Sequence, residues 1–219
     1  MLLEIRQIIK IFGFAFIVCF FVNAYPALAE TPDASQEQTV DASSPEGVVS
    51  NFYTQLLATM ANGDTLGFNG RFEKLAPVLL ETFDFKTMTR LAAGSAWNTV
   101  SENEQQDLVK AFAAFSTANY ASRFPSSSDG SFTITGVKKI KDNVVVETIL
   151  EPVKGESVQL NYLMHKNDNG QFRVIDVLMG GVISELAGKR SEFSSIIKSV
   201  GVSGLIDMLN EKVEEMKNS

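Results

Sequence analysis

Between Arg71 and Phe124 apolar residues recur every three to four positions. Phe72, Leu75, Ala76, Leu79, Leu80 and Phe83 share one side of a helical repeat, with Glu73, Lys74 and Glu81 on the other. Further on, Leu108, Val109, Phe112, Phe115 and Tyr120 fall within an arc of roughly 140°, the width of a buried helix face. Pro77 lacks an N–H, so it either kinks the first of these helices or opens a new one. Asp84 is placed to cap a short helix carrying Phe85, Met88 and Leu91 that stops at Gly94. Ser101-Glu102-Asn103-Glu104 is a capping box for the long helix ending near Phe124. Upstream, Ser44-Pro45-Glu46 opens another helix, with Val48, Val49, Phe52, Leu56, Leu57 and Met60 on one face, and Asn62-Gly63-Asp64 ends it.

After Pro125 the period falls to two. Ser131–Lys141, Val144–Glu151, Ser157–Lys166 and Gln171–Met179 read as four strands. Asp142-Asn143, Lys154-Gly155 and Asn169-Gly170 are turn signals between them. In the third strand Val158, Leu160, Tyr162 and Met164 alternate with polar residues and His165, so one face is buried and the other wet. In the fourth, Phe172, Val174 and Leu178 share one face and Ile175, Val177 and Met179 the other. Gly180-Gly181 ends that strand, and helices over Val182–Val200 and Val202–Lys217 close the chain. The pattern predicts an α+β fold: a four-stranded curved antiparallel sheet packed with helices from both ends of the chain. Helices over the concave side of such a sheet enclose a cone-like space suited to an apolar ligand.

Composition narrows the partners. The 219 residues are 45% hydrophobic and 21% charged, with a net charge of −7, which suits a globular domain and disfavours nucleic acid. Residues 1–29 read as a signal peptide, with an uncleaved N-terminal anchor as the alternative: Arg6 and Lys10 precede an apolar run from Ile11 to Val22, and Ala27-Leu28-Ala29 offers a cleavage site. Its removal takes two of the 19 basic and one of the 26 acidic residues, leaving a net charge of −8, and takes the only cysteine, Cys19. Residues 30–44 are polar and read as a disordered leader.

Catalytic chemistry has few candidates. No thiol remains, no G-x-S-x-G occurs, and the single histidine, His165, falls on the wet face of its strand as a solvated surface group. Neither a metal-ligating cluster nor a phosphate loop is present, and no cofactor is called for. Asp176, mid-strand among apolar neighbours, is the one carboxylate open to an acid–base reading; its structural alternatives are a buried Arg partner or backbone N–H bonds at the Gly180-Gly181 break. Arg190 is placed either to meet an anionic head group or to pair with Asp176, and Trp97 reads as a packing anchor.

Several runs, taken in order, carry a resemblance. F-D-F-x-x-M (Phe83 to Met88), L-A-A-G-x-x-W (Leu91 to Trp97), S-x-x-E-Q (Ser101 to Gln105) and F-x-x-F-x-x-x-x-Y (Phe112 to Tyr120) resemble the MlaC/toluene-tolerance family. F-R-V-I-D-V-L-M-G-G-V-I-S (Phe172 to Ser184) and K-R-S-E-F (Lys189 to Phe193) continue it. The resemblance implies a nuclear-transport-factor-like cone and a periplasmic phospholipid carrier rather than an enzyme. It also implies two partners: an outer-membrane lipoprotein complex, and an inner-membrane ABC transporter complex with an MCE-domain subunit. The segment Ile183 to Phe193 is similar to the hopanoid-associated, HpnM-type branch, which implies a rigid triterpenoid as the alternative ligand.

Residues 45–219 are therefore expected to form a lipid-binding domain. Its walls are expected from Leu79, Phe83, Met88, Phe112, Phe115, Val146, Tyr162, Met164, Val174 and Ile183, with Phe115 and Tyr162 equally open to substitution by Asp without loss of fold. The alternatives are a non-catalytic interaction protein whose apolar faces are only core, and a cone-fold isomerase-type enzyme using Asp176.

Overall fold

The computed structural model describes residues 41–125, 130–152 and 155–218. The proposed signal peptide, most of the leader, the loop residues 126–129 and Lys154 lie outside them.

Helix α1 (Pro45–Ala61) starts as its sequence dictates, with Pro45 at its first position and the Gly47 N–H donating to Ser44 Oγ at 3.0 Å. Helix α2 (Gly63–Thr82) follows after one residue, where the sequence offers only a stop signal. Its interruption lies at Gly67 (φ 59°), not at Pro77, which sits inside the helix. Glycine reaches that dihedral without a Cβ clash, so the chain bends there and the helix absorbs the missing proline N–H. Arg71 secures the bend from within: Nε donates to the Ala121 carbonyl and Nη1 to the Gly63 carbonyl, both at 2.9 Å. Helix α3 (Phe85–Ala93) is capped by Asp84 and stops at Gly94, where a 3₁₀ turn (Gly94–Thr99) carries the buried Trp97. The expected capping box is present on α4 (Glu102–Arg123).

The sheet is an antiparallel meander in chain order: β1 (Ser131–Ile140), β2 (Asn143–Glu151), β3 (Val158–Lys166), β4 (Phe172–Met179) and a short β5 (Ile183–Ser184). The fifth strand occupies ground expected to be helical. Gly180 (φ 57°) and Gly181 (φ 79°) fold the chain back so that Leu178 and Met179 pair with Ser184 and Ile183. Ser184 then accepts the Ala187 N–H at 2.9 Å, which delays the start of α5 (Glu185–Lys217) by three residues. The break expected at Gly201 is a left-handed joint (φ 75°) between two arms of α5.

A β-bulge in β4 corrects the reading of its faces. Met164 pairs with Val174 but Leu163 with Asp176, so Ile175 is an extra residue. One added residue reverses the alternation downstream. Val177 and Met179, opposite Tyr162 and Leu160, thus join the face that Val174 began, and Leu178 leaves it.

Phe52 of α1 marks the centre of the core, with the rings of Tyr53, Phe83, Tyr120 and Tyr162 at centroid distances of 5.4 to 6.2 Å. Phe83 also forms a bridge to Val174, and the Asp84 N–H donates to the Val174 carbonyl at 2.9 Å, pinning the α2–α3 junction to the sheet.

Candidate functional site

Between the concave face of the sheet and α2–α5 lies a cavity of about 370 Å³. Leu79, Phe83, Phe85 and Met88 line it from the α2–α3 junction. From α4 come Phe112, Phe115, Ser116, Asn119, Tyr120 and Arg123, a continuous stripe at spacings of three and four. The sheet contributes Phe132, Leu150, Val158, Leu160, Tyr162, Asp176, Val177 and Met179, and α5 adds Glu185, Leu186 and Lys189. The interior is aromatic and aliphatic. The charged side chains of Arg123 and Glu185 are exposed at the opening.

Of the expected wall residues, Leu79, Phe83, Met88, Phe112, Phe115 and Tyr162 come together around this cavity. Val146, Met164 and Val174 do not line it. They lie on the same sheet face but at the end packed solid by α1 and the Phe83 bridge, and all three are fully buried in the core. Ile183 is 65% exposed, because the glycine turn places it on the edge strand β5 rather than on a helix. Val177 and Met179 were hidden from sequence reasoning by the bulge, whereas the α4 stripe through Asn119 and Arg123 was legible as spacing.

Asp176 has the second of its structural roles in altered form. Oδ1 accepts the Leu186 N–H at 3.0 Å and Oδ2 the Ser184 hydroxyl at 2.5 Å, so the carboxylate secures the first turn of α5 rather than the glycine break. No arginine is bonded to it among the described residues; Arg190 instead lies over Gly94. His165 is not merely solvated. Its Nε2 lies 2.8 Å from Asp84 Oδ2, on the side of the sheet away from the cavity.

Burial pulls the Asp84 carboxyl upward, but bonds from the Thr87 N–H and hydroxyl and from His165 outweigh it and leave the group below its usual 3.8. A depressed carboxylate stabilises the fold above its unfolded pKa and loses that contribution as pH falls through its folded one. Asp84→Asn is therefore expected to lower the urea midpoint near neutrality and to match the wild type progressively below about pH 4. A gap that widened in acid would contradict the assignment.

A chain of hydroxyls runs behind the cavity wall. Thr148 donates to the Leu160 carbonyl, so the Tyr53 hydroxyl, 2.6 Å away, is the donor to Thr148. The Tyr162 hydroxyl interacts with those of Tyr53 and Tyr120 in the same cluster. Burial pushes Tyr53 up to about 12 and raises Tyr120 and Tyr162 as well. Groups raised on folding contribute stability below their unfolded pKa of 10 and lose it as pH climbs towards 12. Residues 30–219 hold no other tyrosine. Tyrosinate absorbance should thus stay low at pH 10 and appear only with loss of helical circular dichroism. Half-ionisation at pH 10 in a folded sample would break this hydroxyl chain.

Among the described residues no group of three or more His, Cys, Asp or Glu side chains could hold a metal ion, and no helix is long and apolar enough to cross a membrane. No curated protein matches the chain. A solved structure that resembles it is the phospholipid-binding protein from Ralstonia solanacearum in complex with a phospholipid; it is 23% identical, superposes with a TM-score of 0.68, and covers 81% of this chain and 99% of its own. At that identity the likeness establishes the shared fold. Residues 50–211, most of the chain, match the family described as MlaC protein, and the chain belongs to that family.

Proposed function

We propose that the protein is a periplasmic carrier that holds the acyl chains of a phospholipid in the cavity between sheet and helices. The observation that carries this reading is the aromatic-walled space of about 370 Å³, opening at charged side chains, in a chain of the MlaC family. At roughly 30 Å³ per water-sized group it accepts about a dozen methylenes. These represent about 10 kcal/mol of transfer from water at about 0.8 kcal/mol each. A bilayer supplies the same transfer energy, so loading from a membrane and unloading into one are nearly balanced, as a shuttle requires. Leu79, Phe83, Met88, Phe112, Phe115 and Tyr162 are the acyl contacts in this proposal.

The partners proposed with it are an outer-membrane lipoprotein complex and an inner-membrane ABC transporter complex with an MCE-domain subunit, reached after export through residues 1–29. The reading is one of binding and transfer, not turnover: Asp176, the one acid–base candidate, is engaged by two donors from the start of α5.

Native mass spectrometry of the protein recovered from the exported fraction of a Gram-negative host tests this, followed by denaturing extraction. A mass excess that resolves into phospholipid supports it. An adduct of hopanoids alone, from a host that makes both lipids, would replace the ligand. A protein without adduct, which also gains none from vesicles, would leave the cavity a feature of the core.

A further inference from the structure

The opening of the cavity is polar in a specific way. Along α4, Ser116, Asn119 and Arg123 follow the apolar Phe112 and Phe115 on the same stripe. Facing the same space, the first turns of α5 present Glu185 and Lys189. This gathers two cations with Glu185 at one mouth, and with the Glu192 that pairs with Lys189, in a protein whose net charge is −7. Lys189 is positioned rather than loose. Lys189 Nζ lies 5.1 Å from the centroid of the Phe115 ring and 2.7 Å from Glu192 Oε2, which holds it at the boundary between apolar wall and solvent. Arg123 ends α4 and presents a planar fork suited to phosphate oxygens.

The neutral groups have a matching polarity. Ser116 Oγ donates its hydrogen to the Phe112 carbonyl at 2.8 Å, and Asn119 Nδ2 donates to the Phe115 carbonyl at 2.8 Å. The Ser116 hydrogen and one of the two Asn119 N–H groups are used on the helix; Ser116 Oγ and Asn119 Oδ1 keep acceptor lone pairs, and the second Asn119 N–H remains a donor. Glu185 adds a third acceptor, anionic and exposed. Arg123 and Glu185 also act on one point: the Tyr120 hydroxyl in the cavity wall is drawn down by the first and pushed up by the second.

We infer that the mouth is a head-group site for a lipid that carries a phosphodiester next to a primary ammonium. Arg123 and Lys189 take the phosphate, while Glu185, Ser116 and Asn119 accept N–H bonds from the ammonium. A quaternary ammonium has no N–H to give, and a glycerol head has no charge for Glu185. The site therefore favours an ethanolamine-type head over choline-type and glycerol-type heads. This inference rests on the carrier reading above and extends it from acyl chains to head group.

The test loads the purified protein from vesicles holding equal amounts of phosphatidylethanolamine, phosphatidylcholine and phosphatidylglycerol with identical acyl chains. Bound lipid is then extracted and its classes measured. The wild type is expected to be enriched in the ethanolamine lipid by roughly twofold to fivefold, the range that partly exposed charge pairs confer. Glu185→Gln should erase the preference over the glycerol lipid. With diacylglycerol of the same chains added to the vesicles, Arg123→Gln with Lys189→Gln should let it compete with the phospholipids. Lys110→Gln, on the exposed face of α4, should keep the wild-type ratio.

Bound lipid that mirrors the vesicle composition in the wild type and in Glu185→Gln would overturn the head-group site and leave the carrier reading standing. Failure to load any lipid would overturn both. Water-soluble phosphoethanolamine supplies the remaining arm. If it binds while no vesicle lipid does, the charged mouth serves a free phosphate ester and the lipid assignment is wrong.

Discussion

Tyr162→Ala is expected to destabilise the protein by about 3–5 kcal/mol, the range for deleting a large buried aromatic side chain. Tyr162 lies at the middle of β3, is 1% exposed, and has its ring against those of Phe52 and Tyr53. Its hydroxyl sits with those of Tyr53 and Tyr120; Tyr53 keeps its bond to Thr148, so removal leaves only the Tyr120 hydroxyl short of a neighbour, at about 1–3 kcal/mol where no water replaces it. Tyr162→Phe keeps the ring and loses only the bonds, so it should cost about half as much or less. Urea denaturation followed by circular dichroism gives both values. Equal midpoints for wild type and Tyr162→Ala would mean that the ring packs on nothing. At the level of sequence, Tyr162 and Phe115 are interchangeable wall residues that both tolerate Asp. The structure separates them, and an Asp at Tyr162 belongs with unfolding variants.

Phe115→Asp is the substitution for emptying the cavity. Phe115 is 9% exposed, lines the space near its opening, and lies beneath Lys189. A carboxylate there can turn towards Lys189 and solvent, so the cost to the fold stays modest, whereas an acyl chain in the cavity would have to bury it. Burial of an unpaired charge costs several kcal/mol, enough to lower lipid occupancy more than tenfold. Phe115→Leu preserves the apolar lining and should retain most of the bound lipid. Native mass spectrometry of the two variants beside the wild type reads the difference directly. Undiminished occupancy in Phe115→Asp would remove Phe115 from the acyl contacts.

Much of the architecture was legible because it rests on local rules. Ser44, Asp84 and Ser101 each announce a helix by a side-chain acceptor three residues before an unpaired N–H, and each does cap one. The four main strands follow from a period of two and from turn residues such as Asn169-Gly170. What stayed hidden depends on pairing between distant segments. Nothing within Phe172–Met179 marks Ile175 as an extra residue; it becomes one only against the register of β3. The face of Val177 and Met179 was therefore misread, and with it part of the cavity wall. Val146, Met164 and Val174 show the same limit in another form. Their inward face was readable, but which end of the sheet is filled by α1 and which stays open is a property of the assembled layers. The first turn of α2 was missed because Gly63, Gly67 and Gly70 weaken its helical signal, which the Arg71 bonds to two carbonyls offset.

The bond between Tyr53 and Thr148 joins residues 95 positions apart, while each strand pairs only with its neighbour in the chain. Short loops close cheaply, so the meander assembles as successive hairpins, and the docking of α1 upon it carries the largest loop-closure cost. Synthesis proceeds in the opposite sense. Of the core residues, those of α1 leave the ribosome first, yet the Tyr162 ring that packs on Phe52 arrives about 110 residues later. Until then α1 has the neighbouring helices to pack on but not the sheet, so part of its apolar face stays uncovered, the stage at which a nascent chain aggregates or needs a holding chaperone. The contact that seals the core is thus also the one that leaves the growing polypeptide vulnerable for longest.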